Sequence, residues 1–100
     1  MLELPKTLTK NKLFYEQVKR TDKIAMYSLR QSPGGNIVGY ETFLIKVDEE
    51  REVFGKVYPE REHFPGNEEF GEIAWSWISR EKADADYSGL CAAALPPGGL

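Results

Sequence analysis

The stretch KIAMYSLR (23–30) alternates along its length. Ala25, Tyr27 and Leu29 point to one side, Met26, Ser28 and Arg30 to the other. A period of two with large residues on one side predicts a half-buried strand. IVGYETFLIKV (37–47) is the longest and most β-prone run; Phe43, Ile45 and Val47 share one face, Tyr40 and Leu44 the other. Apolar content on both sides predicts a central strand, bulged near Gly39. QSPGGN (31–36) connects the two, since Pro, Gly and Asn punctuate regular structure. A charged hairpin loop, DEERE (48–52), leads to a further predicted strand, VFGKVYP (53–59), ended by Pro59, which cannot donate a ladder hydrogen bond. Upstream, in KLFYEQVKR (12–20), Phe14 and Val18 share a face in a strand and in a helix alike, so period does not decide. The aromatic pair and the short length favour a strand, with a turn at TDK (21–23). Connections this short require antiparallel pairing.

Two patterns compete over EIAWSWISREKA (72–83). Phe70, Ile73, Ala74, Trp77 and Ile78 fit an amphipathic helix, whereas Ile73, Trp75 and Trp77 fit a strand. A helix over all of 67–90 would put Trp75 off the apolar stripe and Gly71 in the first turn. A strand over 72–78 puts the three large residues on one face and makes Ser79 an N-cap, with Glu81 in the first turn. The strand followed by a helix is preferred. Ala83, Tyr87, Leu90 and Ala94 then form the helix stripe, and Asp84 and Asp86 face outward. In the preceding loop (60–71), Asn67 is a candidate cap for a short helical turn, with Glu68 and Glu69 at its positive end.

These elements predict an α+β domain: an antiparallel β-meander of four to five strands with one C-terminal helix packed on one face. Residues 1–11 are expected to be a loosely docked N-terminal arm, 12–92 the single domain, and 93–100 a flexible tail. The helix-facing core is expected to hold Phe43, Ile45, Trp75, Trp77, Tyr87 and Leu90, leaving Tyr40 and Leu44 on an open face. A one-residue bulge would exchange the two sets.

The stretch from Gly39 and Tyr40, through Phe70 and Gly71, Trp75 and Trp77, to Glu81, Ala83 and Tyr87 resembles a pattern found in short uncharacterised proteins of bacterial phages and mobile elements. The resemblance covers about residues 37–90. It implies the strand-then-helix order and no activity.

Composition bounds the rest. One hundred residues make one domain, and 41% hydrophobic content can build a core without metals or disulfides. No apolar run approaches the roughly 18 residues of a membrane span. MLELPKTLTKNK lacks the apolar stretch of a secretory signal, so the cytoplasm is the expected compartment. Cys91 is the only cysteine, which excludes an internal disulfide and a multi-cysteine zinc site. Residues 1–40 carry seven basic and three acidic side chains, a net of +4; residues 41–100 carry six and thirteen, a net of −7. Sequence does not say whether these ends form two faces or pair with each other.

Chemistry-bearing motifs are few. His63, the only histidine, lies among Glu60, Glu62, Glu68 and Glu69, yet the spacing matches neither a calcium loop nor a zinc protease. SPGG (32–35) lacks the spacing and the Lys-Ser/Thr pair of a phosphate loop. No metal, cofactor, small-molecule substrate or catalytic residue is assigned, and the chain is read as a non-enzyme. The expected function is association with a protein partner or a second copy, through Tyr40, Leu44, Phe54 and Tyr58. The alternative is single-stranded nucleic-acid binding, with bases stacked on an open aromatic sheet face and Lys19, Arg20, Lys23 and Arg30 on the phosphates.

The tryptophans are expected to be core. Burying such a ring stabilises by roughly 2–3 kcal/mol. Trp77→Ala is therefore expected to unfold the domain before any binding defect shows, which thermal melts followed by circular dichroism will check.

Overall fold

The computed structural model describes residues 2–66 and 70–93. Five antiparallel strands form the main sheet: β1 (Thr7–Lys10), β2 (Leu13–Arg20), β3 (Ile24–Arg30), β4 (Ile37–Leu44) and a late strand, Ala74–Trp77. Between β4 and that strand the chain makes four three-residue strands, β5 (Lys46–Asp48), β6 (Arg51–Val53), β7 (Lys56–Tyr58) and β8 (Arg61–His63), so the late strand is β9. The sheet order is β1-β2-β3-β4-β9, and helix α1 (Arg80–Ala93) packs on one face. The protein is an α+β fold with an antiparallel sheet, as the periodicity predicts. The helix includes Ala93, the first residue of the expected tail; residues 94–100 lie outside the described residues, as do Asn67, Glu68 and Glu69.

The membership of the sheet departs from expectation in two places. VFGKVYP does not join it, and the supposed N-terminal arm does. Thr7–Lys10 pairs with Leu13–Glu16 across a two-residue turn in which Asn11 and Lys12 both take positive φ, 53° and 64°. Two successive left-handed residues match the right-handed twist of the strands they join. Thr7–Lys10 is thus a strand of the sheet, and Leu4 is buried in its core. β4 ends at Leu44 because its partner strand does: Leu44 pairs with Ile24, the first residue of β3, and Ile45 N–H donates to the Lys23 carbonyl at 2.7 Å. Beyond that point no neighbour remains, and the chain turns away.

β3 is the central strand, and only its last residue escapes full burial. β4 carries the expected bulge. Leu29 pairs with Gly39 and Arg30 with Ile37, so Val38 is the extra residue. Gly39 itself is pressed by β9: a Cβ there would lie 3.1 Å from the Trp77 carbonyl oxygen.

Both faces of the sheet are covered, which corrects the expected single layer. Under α1 lie Ile24, Met26 and Tyr40, against Ala83 and Tyr87, with Val18, Leu44, Trp77, Leu90 and Cys91 around them. On the opposite face lie Tyr15, Ala25, Tyr27, Leu29, Phe43 and Ala74, joined by Leu4 from the N-terminus and flanked by Ile45, Phe64 and Phe70. The two sets assigned to β4 are therefore exchanged: Tyr40 and Leu44 face the helix, and Phe43 and Ile45 face away from it. Trp77, Tyr87 and Leu90 lie on the helix side as expected, and half-buried Trp75 sits opposite Thr42 in the ladder. Parity within a strand says which residues share a face, not which face receives the helix.

The strand-to-helix junction follows the local signals. Ser79 Oγ accepts from Lys82 N–H at 3.4 Å, and the Ser79 carbonyl accepts from Ala83 N–H at 3.0 Å. Asp86, expected to face outward, instead turns under the helix. One carboxylate oxygen accepts from Thr42 Oγ1–H at 2.5 Å and from Trp77 Nε1–H at 3.3 Å. Thr42 is fully buried, and its hydroxyl also accepts from the indole at 3.1 Å. Asp84 does reach a surface cation, Lys19, at 3.0 Å.

This hydrogen-bonded triangle ties α1 to β4 and β9 at one point. Asp86→Ala strands a buried hydroxyl, and an unsatisfied buried polar group costs about 1–3 kcal/mol. The expected loss in urea-unfolding free energy is of that size, against about 0.3–1 kcal/mol for the exposed Glu81→Ala, which removes only a favourable first-turn charge.

Candidate interaction surface

The residues proposed for binding separate into two groups. Tyr40 is 8% exposed beneath the helix, and Leu44 is half-buried beside it, in a groove with Lys23, Ile45, Val47, Leu90 and Ala93. Phe54 and Tyr58 lie elsewhere, on the excursion between β4 and β9. There β5 pairs with β8 and β6 pairs with β7, making an antiparallel arm in two ladders with residues 54 and 55 at its tip.

The arm is anchored at its base. Glu62, on β8, is nearly buried, and both of its carboxylate oxygens accept from the Arg20 guanidinium, at 2.6 and 2.7 Å. Oε1 also accepts from Leu4 N–H at 3.0 Å. The backbone of Leu2 bonds to Glu60 and Glu62 on either side. Phe64, just after β8, then enters the aromatic cluster, with ring centroids 5.1 Å from Tyr27 and 5.2 Å from Phe43. Tyr27 stacks on Phe43 at 5.8 Å and donates its hydroxyl to the Pro5 carbonyl at 2.6 Å. The aromatic face is thus closed by Leu4, the Pro5 carbonyl and Phe64.

Beyond the base the arm carries little but exposed side chains. The register places Arg51 opposite Tyr58 and Val53 opposite Lys56, on one face; Glu52 and Val57 share the other. Val53, Val57 and Tyr58 are all exposed, and Phe54 is 104% exposed, as free as in an extended chain. Phe54 and Gly55 take φ of 51° and 79°, the paired left-handed residues of a tight hairpin turn. Gly55 suits this conformation. A bulky aromatic residue rarely adopts it. Tyr58 also lines a cleft of mixed character with Leu2, Asp48, Glu49, Arg51, Pro59 and Arg61.

The basic residues suggested for phosphate contacts are mostly engaged within the fold. Lys19 pairs with Asp84 and lies over the Tyr87 ring at 4.6 Å; Arg20 is held by Glu62. Arg30 donates to the Gly35 carbonyl and lies 3.7 Å from Glu16. Lys23 is exposed at the rim of the groove beside Leu44. The sheet face proposed for base stacking is not open: Tyr27 is 0% exposed.

Among the described residues, the acids of the loop do not gather around His63. His63 Nε2 lies 3.2 Å from Asp48, Nδ1 lies 2.9 Å from the Phe64 carbonyl, and Glu62 points inward to Arg20. No cluster of three or more potential metal ligands occurs among the described residues. Nor is any helix among them long and apolar enough to cross a membrane.

One buried carboxyl escaped the sequence. Glu41 lies on the aromatic face, and its Oε2 accepts from Tyr15 Oη at 2.5 Å. Burial holds its carboxyl above the usual range, partly offset by Tyr15 and Lys10. Burial, and then Glu41, push the Tyr15 hydroxyl upward in turn. A lone Glu in a β-prone run gives no local sign of this.

Comparison of the chain with protein families, with characterised proteins and with solved structures finds no match.

The two buried carboxyls give opposite pH dependence. The Arg20 hydrogen bonds hold Glu62 below its ordinary value of 4.5, so its contribution is present above 4.5 and lost as pH falls through its lower folded value. Glu41 is raised, so it weakens the fold as pH climbs past 4.5. Urea unfolding across this range is expected to show stability rising as pH falls from neutral, then dropping below 4.5. Glu62→Gln should lower stability at neutral pH, on the order of 3 kcal/mol, and flatten the acid limb.

Proposed function

We propose that the protein is a non-catalytic interaction module whose contact element is the β6–β7 hairpin, with Phe54 as the residue that enters the partner. The observation that carries this reading is the placement of Phe54. At a turn position suited to Asn or Gly, the chain holds a phenylalanine in the left-handed region with its ring wholly in solvent. Such a conformation costs roughly 1–3 kcal/mol for a residue other than glycine, and the exposed ring recovers nothing by burial within the chain. Folding alone therefore gives no reason for it. A projecting aromatic ring has the character of an interface anchor, since a few such residues dominate association energies.

The surroundings support the same reading. Val53, Val57 and Tyr58 supply apolar surface around the anchor. The Arg20–Glu62 contact and Phe64 hold the base of the hairpin, so the arm is presented from a packed support. Nucleic-acid binding through the sheet is not favoured, because the aromatic rings it requires are covered.

Replacing Phe54 separates binding from folding. Phe54→Asn suits the turn better and is expected to raise stability by about 1 kcal/mol. Peptides selected from a random display library on the immobilised chain should bind the wild type and lose at least tenfold in affinity for Phe54→Asn. Unchanged affinity would remove the hairpin from the binding surface.

A further inference from the structure

The charges on the hairpin point to the chemistry of its partner. The other four arginines reach acids: Arg20 reaches Glu62, Arg30 reaches Glu16, Arg61 reaches Asp48 and Arg80 reaches Asp84, which Lys19 also reaches. Arg51 is the exception, and Lys56 shares its setting. Both stand over the Tyr58 ring, at 5.9 and 5.3 Å, and neither reaches a carboxylate of the described residues. They occupy the same face of the hairpin as Tyr58 and Val53, within a few residues of Phe54.

Resting on the hairpin reading, we propose that the partner is a protein segment with a large apolar group flanked by carboxylates, so that Phe54 and Tyr58 make apolar contacts while Arg51 and Lys56 pair with the acids. Charge complementarity selects this class over other anions. Glu49, Glu50 and Glu60 stand at the base of the same hairpin, and the whole chain carries −3. An extended polyanion, whether a nucleic-acid backbone or an anionic bilayer, would meet those carboxylates as well as the two cations. Two cations also neutralise too few phosphates to hold a nucleic acid at moderate salt, because that affinity scales with the number of phosphates neutralised. Discrete carboxylates on a protein can meet Arg51 and Lys56 alone. Opposite charges at the rim of an apolar contact raise association rates and set orientation.

The test uses the full chain and three kinds of probe: a random peptide display library, phosphatidylserine vesicles, and single-stranded DNA and RNA. Selected peptides are expected to place Asp or Glu beside an aromatic or large aliphatic residue. The synthesised consensus peptide should bind the double variant Arg51→Glu/Lys56→Glu at least tenfold more weakly than wild type, and a Lys-substituted peptide should recover binding to that variant. Peptides without acidic bias, or affinity unchanged by the charge reversal, would overturn the acidic partner while Phe54 dependence keeps the hairpin in place. Loss of Phe54 dependence would overturn both. Vesicle or nucleic-acid binding abolished by the double variant, or concentration-dependent dimerisation blocked by it, would assign the cations to that partner instead.

Discussion

Everything on one side of the sheet depends on Glu62. Its carboxylate receives the Arg20 guanidinium and the Leu4 amide, so one side chain joins the end of β2, the N-terminal segment and the last strand of the arm. Leu4 then packs with Tyr15 and Tyr27, the Pro5 carbonyl receives the Tyr27 hydroxyl, and Phe64 is delivered into the aromatic cluster. A carboxylate this enclosed is held only while its partners satisfy it, because an uncompensated buried charge is costly. The contact is therefore better understood as a clasp that fixes where segments go than as a source of net stability.

With that face closed, the sheet is sandwiched between a helix and an irregular cover. The central strand β3 can then be apolar on both sides, and the domain buries Tyr27, Phe43, Ile24 and Met26 in full. Edge-to-face and stacked contacts among Tyr15, Tyr27, Phe43 and Phe64 add about 0.5–1.5 kcal/mol per pair beyond the area they bury. On the helix side, Thr42, Trp77 and Asp86 perform the equivalent task, fixing α1 by hydrogen bonds where a stripe of small and medium residues alone would let it slide.

The same clasp explains why the arm can project. Chain that leaves a sheet loses its ladder partners, and here it pairs with itself from Lys46 to His63 and returns to a fixed point. The cost is an outer hairpin with almost no buried side chains. Its valines and aromatic residues stay exposed and add nothing to this core.

Much was legible from the residues in order. Alternation in 23–30 and 37–44, the β-prone character of 13–20, the cap at Ser79 and the helix beyond it are local properties, and local pattern determined them. So were the exposed Phe54 and Tyr58 legible as candidates, though their neighbours Arg51 and Lys56 were not. Only the tertiary structure decided the rest. Which face of β4 takes the helix depends on where α1 docks, so Tyr40 and Phe43 exchange places without any change in parity. Whether Thr7–Lys10 is an arm or a strand depends on β2 offering a free edge. Arg20 meets Glu62 across 42 positions and Leu4 meets it across 58. Strand period and helix capping act over a few residues and are written in them. The pairing of distant segments is a property of the whole packed chain, and no short stretch contains it.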